Sequence, residues 1–288
     1  MTGLRHILFP YDFSVHAQHV APFVRSLAGH FGAHVTVISV VPPTFAPVIA
    51  DMQAHARVGE DMARWRLNLQ SQLDQALIEE FAGLDVERVA DCGDPAIRIT
   101  QFSHSRNVDL IVMPTRGTGT FRGLLIGSVT SKVLHDASCP VWTTAHTEVQ
   151  KPPRIPQAIL CAIDGSVKTP ALVQWVDAFA RSTGASLNFL HVVGPVSDWP
   201  ELESERRLQE HVSDTARGRI GSMLGAAGVD APLRIAVGDI VASTTDAARQ
   251  QQADLVVIGR GSIAEPFGRL RTHAFGIIQR SPCPVLSI

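Results

Sequence analysis

Residues 109–133 read DLIVMPTRGTGTFRGLLIGSVTSKV, and this stretch decides the fold and the candidate site of the chain. Its apolar beginning, residues 109–113, is typical of a buried parallel strand. A glycine-bearing loop follows, and Gly127-Ser128 predicts a helix start capped by the serine. Backbone amides at such a loop and helix start favour an anion such as phosphate. Many α/β loops carry two glycines, so support for a phosphate site has to come from elsewhere in the chain.

The composition excludes several classes of protein. The 288 residues are 45% hydrophobic with a formal charge of -2, which is enough for one large domain or two ordinary ones. A near-neutral charge and only 6% aromatic residues argue against a nucleic-acid partner. No apolar run approaches the roughly 20 residues that span a bilayer, so no membrane partner is expected. The first residues lack a signal-peptide layout, and a cytoplasmic location is expected.

The chain repeats itself. Asp12 and Asp164, like Val41 and Val193, are 152 residues apart, and Asp109 and Asp254 are 145 apart. Collinear matches at nearly constant spacing indicate two copies of one domain. We predict a first domain at 1–147, a polar and Pro-rich linker at 148–156, and a second domain at 157–288.

Each copy alternates strands with helices, which requires parallel strands and right-handed crossovers. We predict an α/β fold of two doubly wound, five-stranded parallel sheets, each ordered 3-2-1-4-5. In that order strands 1 and 4 are neighbours, and ligands bind where their helices leave on opposite faces. Asp12 ends strand 1 and residues 115–119 follow strand 4, so both are predicted to lie in one cleft.

With these features the chain resembles a tandem universal stress protein over almost its whole length. Nucleotide-binding members of that family carry Gly-x2-Gly-x9-Gly-Ser/Thr after strand 4. The first copy has Pro114-x2-Gly117-x9-Gly127-Ser128, with proline at the first glycine position. The second copy has Gly259-x-Gly261-x9-Arg271-Thr272, one residue shorter and with arginine at the third glycine position.

The resemblance implies an ATP site in which an aspartate contacts the ribose or adenine side, and the backbone near a strand 2 valine meets adenine. The loop and helix start would hold the phosphates, with any Mg²⁺ held largely by those phosphates. The nucleotide-binding residues implied are Asp12, Val41, Thr115, Gly117, Gly127 and Ser128 in the first copy, and Asp164, Val193, Gly259, Gly261 and Thr272 in the second. We expect the first copy to be the stronger site, since Arg271 brings a side chain into the phosphate space unless it pairs with an anion itself.

Simpler interpretations stay open for the same residues. The two aspartates are also suited to helix entry, and the glycines to tight packing. Twelve histidines are present, but His16 with His19 and His30 with His34 lack further ligands at suitable spacing, and the four cysteines form no CxxC pair. We therefore predict no metal site in the protein itself.

The function predicted is an ATP-binding, regulatory stress-response protein, with the nucleotide mainly in the first domain. A scaffold that acts through protein–protein contacts without nucleotide is the alternative. No catalytic residues are predicted, because no Gly-x4-Gly-Lys-Ser/Thr loop or positioned base is present, and slow ATP hydrolysis is the most we expect. An adenine-nucleotide enzyme of another α/β group ranks last, since residues 11–14 are Tyr-Asp-Phe-Ser rather than a Ser-Gly-Gly-type loop.

The last strand of each copy, 140–144 and 284–288, would form an exposed sheet edge. Pairing of these two edges would make the chain an internal pseudo-dimer, as family dimers associate through this strand. A homodimer of tandem chains is also expected.

Overall fold

The computed structural model describes residues 3–42, 54–117, 126–144, 154–194, 202–260 and 272–288, without the side chains of 54–62, 202–208 and 272. The chain divides into two compact units, residues 4–142 and residues 143–288, the latter joined by the first residues of the chain. In the described part of the chain, no helix is both long enough and apolar enough to cross a bilayer.

Within each copy, the described strands and helices alternate, as predicted. The elements in chain order are β1 (His6–Pro10), α1 (Val15–Phe31), β2 (His34–Val41), α2 (Ala54–Asp74), β3 (Val86–Cys92), α3 (Pro95–Ser105), β4 (Leu110–Pro114), α4 (Ser128–Asp136), β5 (Val141–Thr144), β6 (Ala158–Ala162), α5 (Thr169–Thr183), β7 (Ser186–Val193), α6 (Leu202–Ala226), β8 (Leu233–Val237), α7 (Ile240–Gln250), β9 (Leu255–Ile258), α8 (Thr272–Arg280) and β10 (Val285–Ser287).

The strand order in the first unit is β3-β2-β1-β4-β5, which confirms the predicted 3-2-1-4-5 arrangement. β1 lies parallel to both β2 and β4, with Ile7 opposite Val35 on one side and Leu110 on the other. Four of the five residues of β1 and all five of β4 are buried. The central strands therefore form the core, as their unbroken apolar sequence requires.

The second unit repeats this arrangement, with its strands in the order β8-β7-β6-β9-β10. Equivalent polar residues play equivalent structural roles in the two units. Asp109 accepts hydrogen bonds from the amides of Arg5 and His6 at the start of β1. Asp254 accepts them from the amides of Gln157 and Ala158 at the start of β6. The internal repeat read from the sequence is thus a structural repeat, whereas the domain boundaries and the predicted pseudo-dimer stay predictions.

One helix differs from its prediction. The apolar spacing predicts a helix from about residue 60 to Phe81, but α2 ends at Asp74. Leu77 then adopts a positive φ of 56°, while its side chain stays buried. The guanidinium of Arg88 on β3 donates hydrogen bonds to the carbonyl of Ala76, at 3.2 and 3.0 Å. The helix therefore ends before the left-handed Leu77, and the Arg88 side chain from the neighbouring strand satisfies the carbonyl of Ala76 beyond the helix end.

Candidate functional site

The loop after β4 lies directly against the residue that follows β1. Gly117 approaches so closely that a Cβ built on it would overlap the Oδ2 atom of Asp12. Asp12 is exposed, and its Oδ1 atom accepts a hydrogen bond of 3.1 Å from the amide of Ser14. The two features singled out separately in the sequence, the end of β1 and the glycine loop, are therefore in contact at the switch point of the sheet.

The two ends of this loop are fastened together. The amide of Gly127 donates to the carbonyl of Thr115 at 2.8 Å, and the Thr130 hydroxyl donates to the carbonyl of Pro114 at 3.0 Å. Thr115 is only 1% exposed, so it anchors the loop below the surface. A Cβ on Gly127 would lie 3.5 Å from the Thr115 carbonyl oxygen, which is ordinary contact.

The expectation that Ser128 caps α4 is wrong. The helix begins at Ser128, and its N-cap is Gly127, which forms no side-chain cap hydrogen bond in the part of the loop that the structure describes. Because Gly127 has no side-chain oxygen, the first amides of α4 are left for other acceptors. Ser128 thus sits at the helix start, as predicted, but as its first residue rather than its cap.

The turn after β1 has an unusual backbone. Phe13 has a positive φ of 60°, and its ring contacts that of Tyr11 with centroids 4.9 Å apart. Ser14 then begins α1 by accepting a hydrogen bond from the Ala17 amide at 3.1 Å, as its sequence position predicts. Burial raises the pKa of Tyr11. An aromatic residue in the left-handed region is costly, and such strain is concentrated at functional sites.

Val41 is the last residue of β2 and lies at the same carboxyl-terminal end of the sheet as Asp12. Its carbonyl accepts a hydrogen bond of 3.0 Å from the amide of Gly93. Beside it, Arg98 forms a bidentate pair with Asp91, at 2.7 and 2.9 Å. Partial burial on its own would raise the pKa of Asp91, but the hydrogen bonds from Arg98 and the Cys92 amide lower it below its usual value. The ion pair therefore holds the backbone that flanks Val41.

The second unit has an equivalent cleft with different details. The Oδ1 atom of Asp164 accepts hydrogen bonds from the Ser166 amide at 2.9 Å and the Thr169 hydroxyl at 3.1 Å. Partial desolvation would raise the pKa of Asp164, but these bonds and one from the Ser166 hydroxyl lower it overall. Val193 repeats the role of Val41, since its carbonyl accepts from the Gly238 amide at 2.9 Å.

An arginine that no sequence motif predicts lies against the turn after Asp164. Gly165 has a φ of 71°, and a Cβ built on it would lie 2.5 Å from Nη2 of Arg219 and 2.9 Å from Cδ1 of Ile220. Arg219 belongs to α6, more than fifty residues further along the chain. No motif marked it, because only the packing of α6 brings it to this turn.

The remaining candidates of the second unit are only partly described. Gly259 directly follows β9, and a Cβ on it would lie 3.5 Å from Cδ2 of Leu172. Thr272 is the first residue of α8. Gly261 and Arg271 lie outside the described residues. The equivalence of the two glycine loops therefore stays a prediction.

The described residues of the cleft offer side-chain oxygen atoms and backbone amides rather than a cluster of metal ligands. Within the described ranges, no group of three or more His, Cys, Asp or Glu side chains could hold a metal ion. Exposed Asp12, the uncapped start of α4 and the Val41 edge fit a ligand that carries hydroxyl groups and phosphates. Any Mg²⁺ there would be held mainly by the phosphates.

Comparison with known proteins finds one family twice in this chain. The model of the Universal stress protein family matches residues 3–144 and again residues 156–288. A universal stress protein of Thermus aquaticus, named for its place in the QAH/OAS sulfhydrylase 3' region, is 33% identical over 138 residues. That alignment covers 47% of this chain and 94% of the relative.

Two longer relatives match more of the chain. A universal stress protein of Mycolicibacterium smegmatis is 24% identical over 220 residues, which covers 76% of this chain and 73% of the relative. The crystal structure of a universal stress protein from Archaeoglobus fulgidus aligns with a TM-score of 0.64 and 22% identity. It covers 99% of this chain and 96% of that one, and at this identity the likeness concerns the fold.

Proposed function

The chain belongs to the universal stress protein family, with two of its domains in tandem, and on that premise we propose that the first unit binds ATP. In this proposal the protein is a regulatory stress-response protein whose state depends on the bound adenine nucleotide. The nucleotide occupies the cleft between the end of β1 and the loop after β4.

The contact between Gly117 and Asp12 is the observation that carries this proposal. It places an exposed carboxylate next to the backbone of a glycine loop, and the same loop leads to the uncapped start of α4. A carboxylate accepts hydrogen bonds from sugar hydroxyls, whereas helix-start amides donate them to phosphate. A nucleotide carries both kinds of group, which is why it fits this cleft better than a simple anion.

Each candidate residue has a role in the proposal. Asp12 accepts hydrogen bonds from the ribose, and the backbone at Val41 borders the base. The amides near Gly117, Gly127 and Ser128 donate to the phosphates. Because none of the described residues of this cleft is assigned as a base for attack on the γ-phosphate, the proposal treats the nucleotide as a bound signal that is turned over slowly at most.

The experiment is calorimetric titration of the full chain with ATP, together with mass spectrometry of nucleotide released from the purified protein. We expect Asp12→Ala to weaken ATP binding by about tenfold, the effect of losing one or two hydrogen bonds to a charged group. Asp136→Ala, an exposed carboxylate at the far end of α4, is the matched control and should bind ATP normally. Absence of binding at millimolar ATP would refute the proposal.

The alternative, a scaffold that needs no nucleotide, has one observation in its favour. Pro114 replaces the first glycine of the family motif, and proline supplies no amide for a phosphate. If the purified chain neither releases nor binds nucleotide, this alternative is the better one. Light scattering would then show whether the expected homodimer forms without any ligand.

A further inference from the structure

We propose that Arg219 is a phosphate-binding residue of a second ligand site, in which Asp164 binds hydroxyl groups of the same ligand. The ligand class is a phosphate ester that also carries hydroxyl groups, as a nucleotide does. This inference rests on the proposed function only in assuming that both units bind their ligands at the carboxyl-terminal ends of their strands. It assigns the second unit a recognition mode based on a side chain rather than on a glycine loop.

The position of Arg219 is the first argument. Its guanidinium lies on the turn that directly follows Asp164, close enough that any side chain at position 165 would collide with it. Gly165 is favoured by its φ of 71°, and both the flexible Arg219 and the Cδ1 atom of Ile220 would have to shift for a Cβ at this position. The side chain is exposed, and among the described residues it forms no hydrogen bond or ion pair. Its donors are thus available to a ligand at the mouth of the cleft.

The comparison of the two units is the second argument. The equivalent turn of the first unit carries Phe13, whose ring contacts Tyr11. The second unit has Gly165 and Ile163 at those positions, and Arg219 takes the space. The turn is therefore bordered by an aromatic ring in one unit and by a guanidinium in the other. A guanidinium beside the turn that follows a carboxylate favours a ligand with an anionic group and hydroxyl groups close together.

A second arginine, Arg260, lies at the same carboxyl-terminal end of the sheet as Asp164. Ala162 of β6 is opposite Ile258 of β9, so Asp164 and Arg260 follow at the ends of neighbouring strands. Arg260 is 7% exposed, and its amide donates to the carbonyl of Ile288 at 2.8 Å. The backbone of Arg260 is therefore fixed beside the end of β10, at the same end of the sheet as Asp164.

The test uses the full chain, with AMP as the probe and adenosine as the comparator that lacks phosphate. Arg219→Met removes the charge while keeping most of the length of the side chain. Arg217→Met is the matched control, because Arg217 is exposed on the same helix and faces the carbonyl of Leu233. Hydrogen exchange with mass spectrometry locates the ligand through the peptides that cover residues 163–170.

We expect AMP to protect residues 163–170 and Arg219→Met to weaken this AMP binding roughly tenfold, with adenosine binding unchanged. Arg217→Met should behave as wild type. The proposal is overturned if AMP leaves residues 163–170 unprotected, if Arg219→Met binds AMP as tightly as wild type, or if AMP and adenosine weaken equally. If instead the proposed ATP site of the first unit is wrong, ATP will leave residues 12–15 unprotected in the same hydrogen-exchange experiment.

Discussion

Replacement of Gly117 by alanine tests directly whether the glycine loop depends on its contact with Asp12. The added methyl group would overlap Oδ2 of Asp12, while φ at position 117 is not in the left-handed region and so accepts a side chain. Among the described residues, only the Asp12 carboxyl group lies within 4 Å of the added methyl group. The substitution therefore isolates one contact at the centre of the candidate site.

The expected cost follows from how the overlap can be relieved. Either the loop moves away, or the Asp12 side chain rotates and gives up its hydrogen bond from the Ser14 amide. Because Asp12 is exposed and the overlapping atom is the end of its side chain, most of the cost is the lost hydrogen bond to a charged group, about 1–2 kcal/mol. We expect Gly117→Ala to destabilise the first unit by this amount.

The assay is a double-mutant cycle with Asp12→Ala, in which the free energy of unfolding is measured in urea. Without the carboxylate, Gly117→Ala should be neutral or stabilising by up to about 1 kcal/mol, since alanine restricts the unfolded chain more than glycine does. The interaction energy between the two positions should therefore be about 1–3 kcal/mol. Gly29→Ala in α1 is the control, because a Cβ there meets nothing within 4 Å.

Additive effects of Gly117→Ala and Asp12→Ala would refute the reasoning, because they would mean that the loop and the carboxylate do not touch. The result stands apart from ligand binding. It tests the assembly of the cleft whether or not ATP is its ligand.

Three further predictions concern the turn at Gly165, the ion pair of Asp91 with Arg98, and the partly buried His6. Gly165→Ala should cost about 1–3 kcal/mol more than Gly184→Ala in urea unfolding, since both have φ near 70° but only Gly165 faces packed atoms; equal costs would contradict this. The pKa of Asp91 is lowered in the folded state, so its ion pair stabilises the fold above pH ~4, and this stabilisation is lost as pH falls further. The unfolding free energy of Arg98→Met should therefore differ from that of wild type most at neutral pH and least near pH 3. Burial lowers the pKa of His6, so the unfolded chain binds the proton more readily and stability should fall as pH drops below ~6.5; His6→Gln should flatten the unfolding free energy between pH 7.5 and 5, and an unchanged slope would contradict the assignment.

Much of the fold was predictable because its signals are local or follow from topology. Local hydrophobic runs and capping chemistry predict β2 from His34 to Val41 and the cap of α1 by Ser14, and the structure confirms both. The strand order followed from alternating elements and the handedness of their crossovers. The same rules placed Asp12 beside the loop after β4, although they did not give the closeness of Gly117.

Other features depend on contacts between distant parts of the chain. α2 ends at Asp74 and Arg88 satisfies the carbonyl of Ala76 beyond it, and the local apolar spacing contains no sign of that contact. The start of α4 is set by the hydrogen bond between Gly127 and Thr115, which only the closed loop provides.

By itself, the sequence determined that this protein has two copies of a doubly wound domain, each with an aspartate and a loop at its switch point. Only the tertiary structure decided what surrounds each aspartate: the backbone of Gly117 in one unit and the guanidinium of Arg219 in the other. The physical reason is that periodicity and turn chemistry act over a few residues. A side chain such as Arg219 reaches its place only when the whole helix that carries it packs against the sheet.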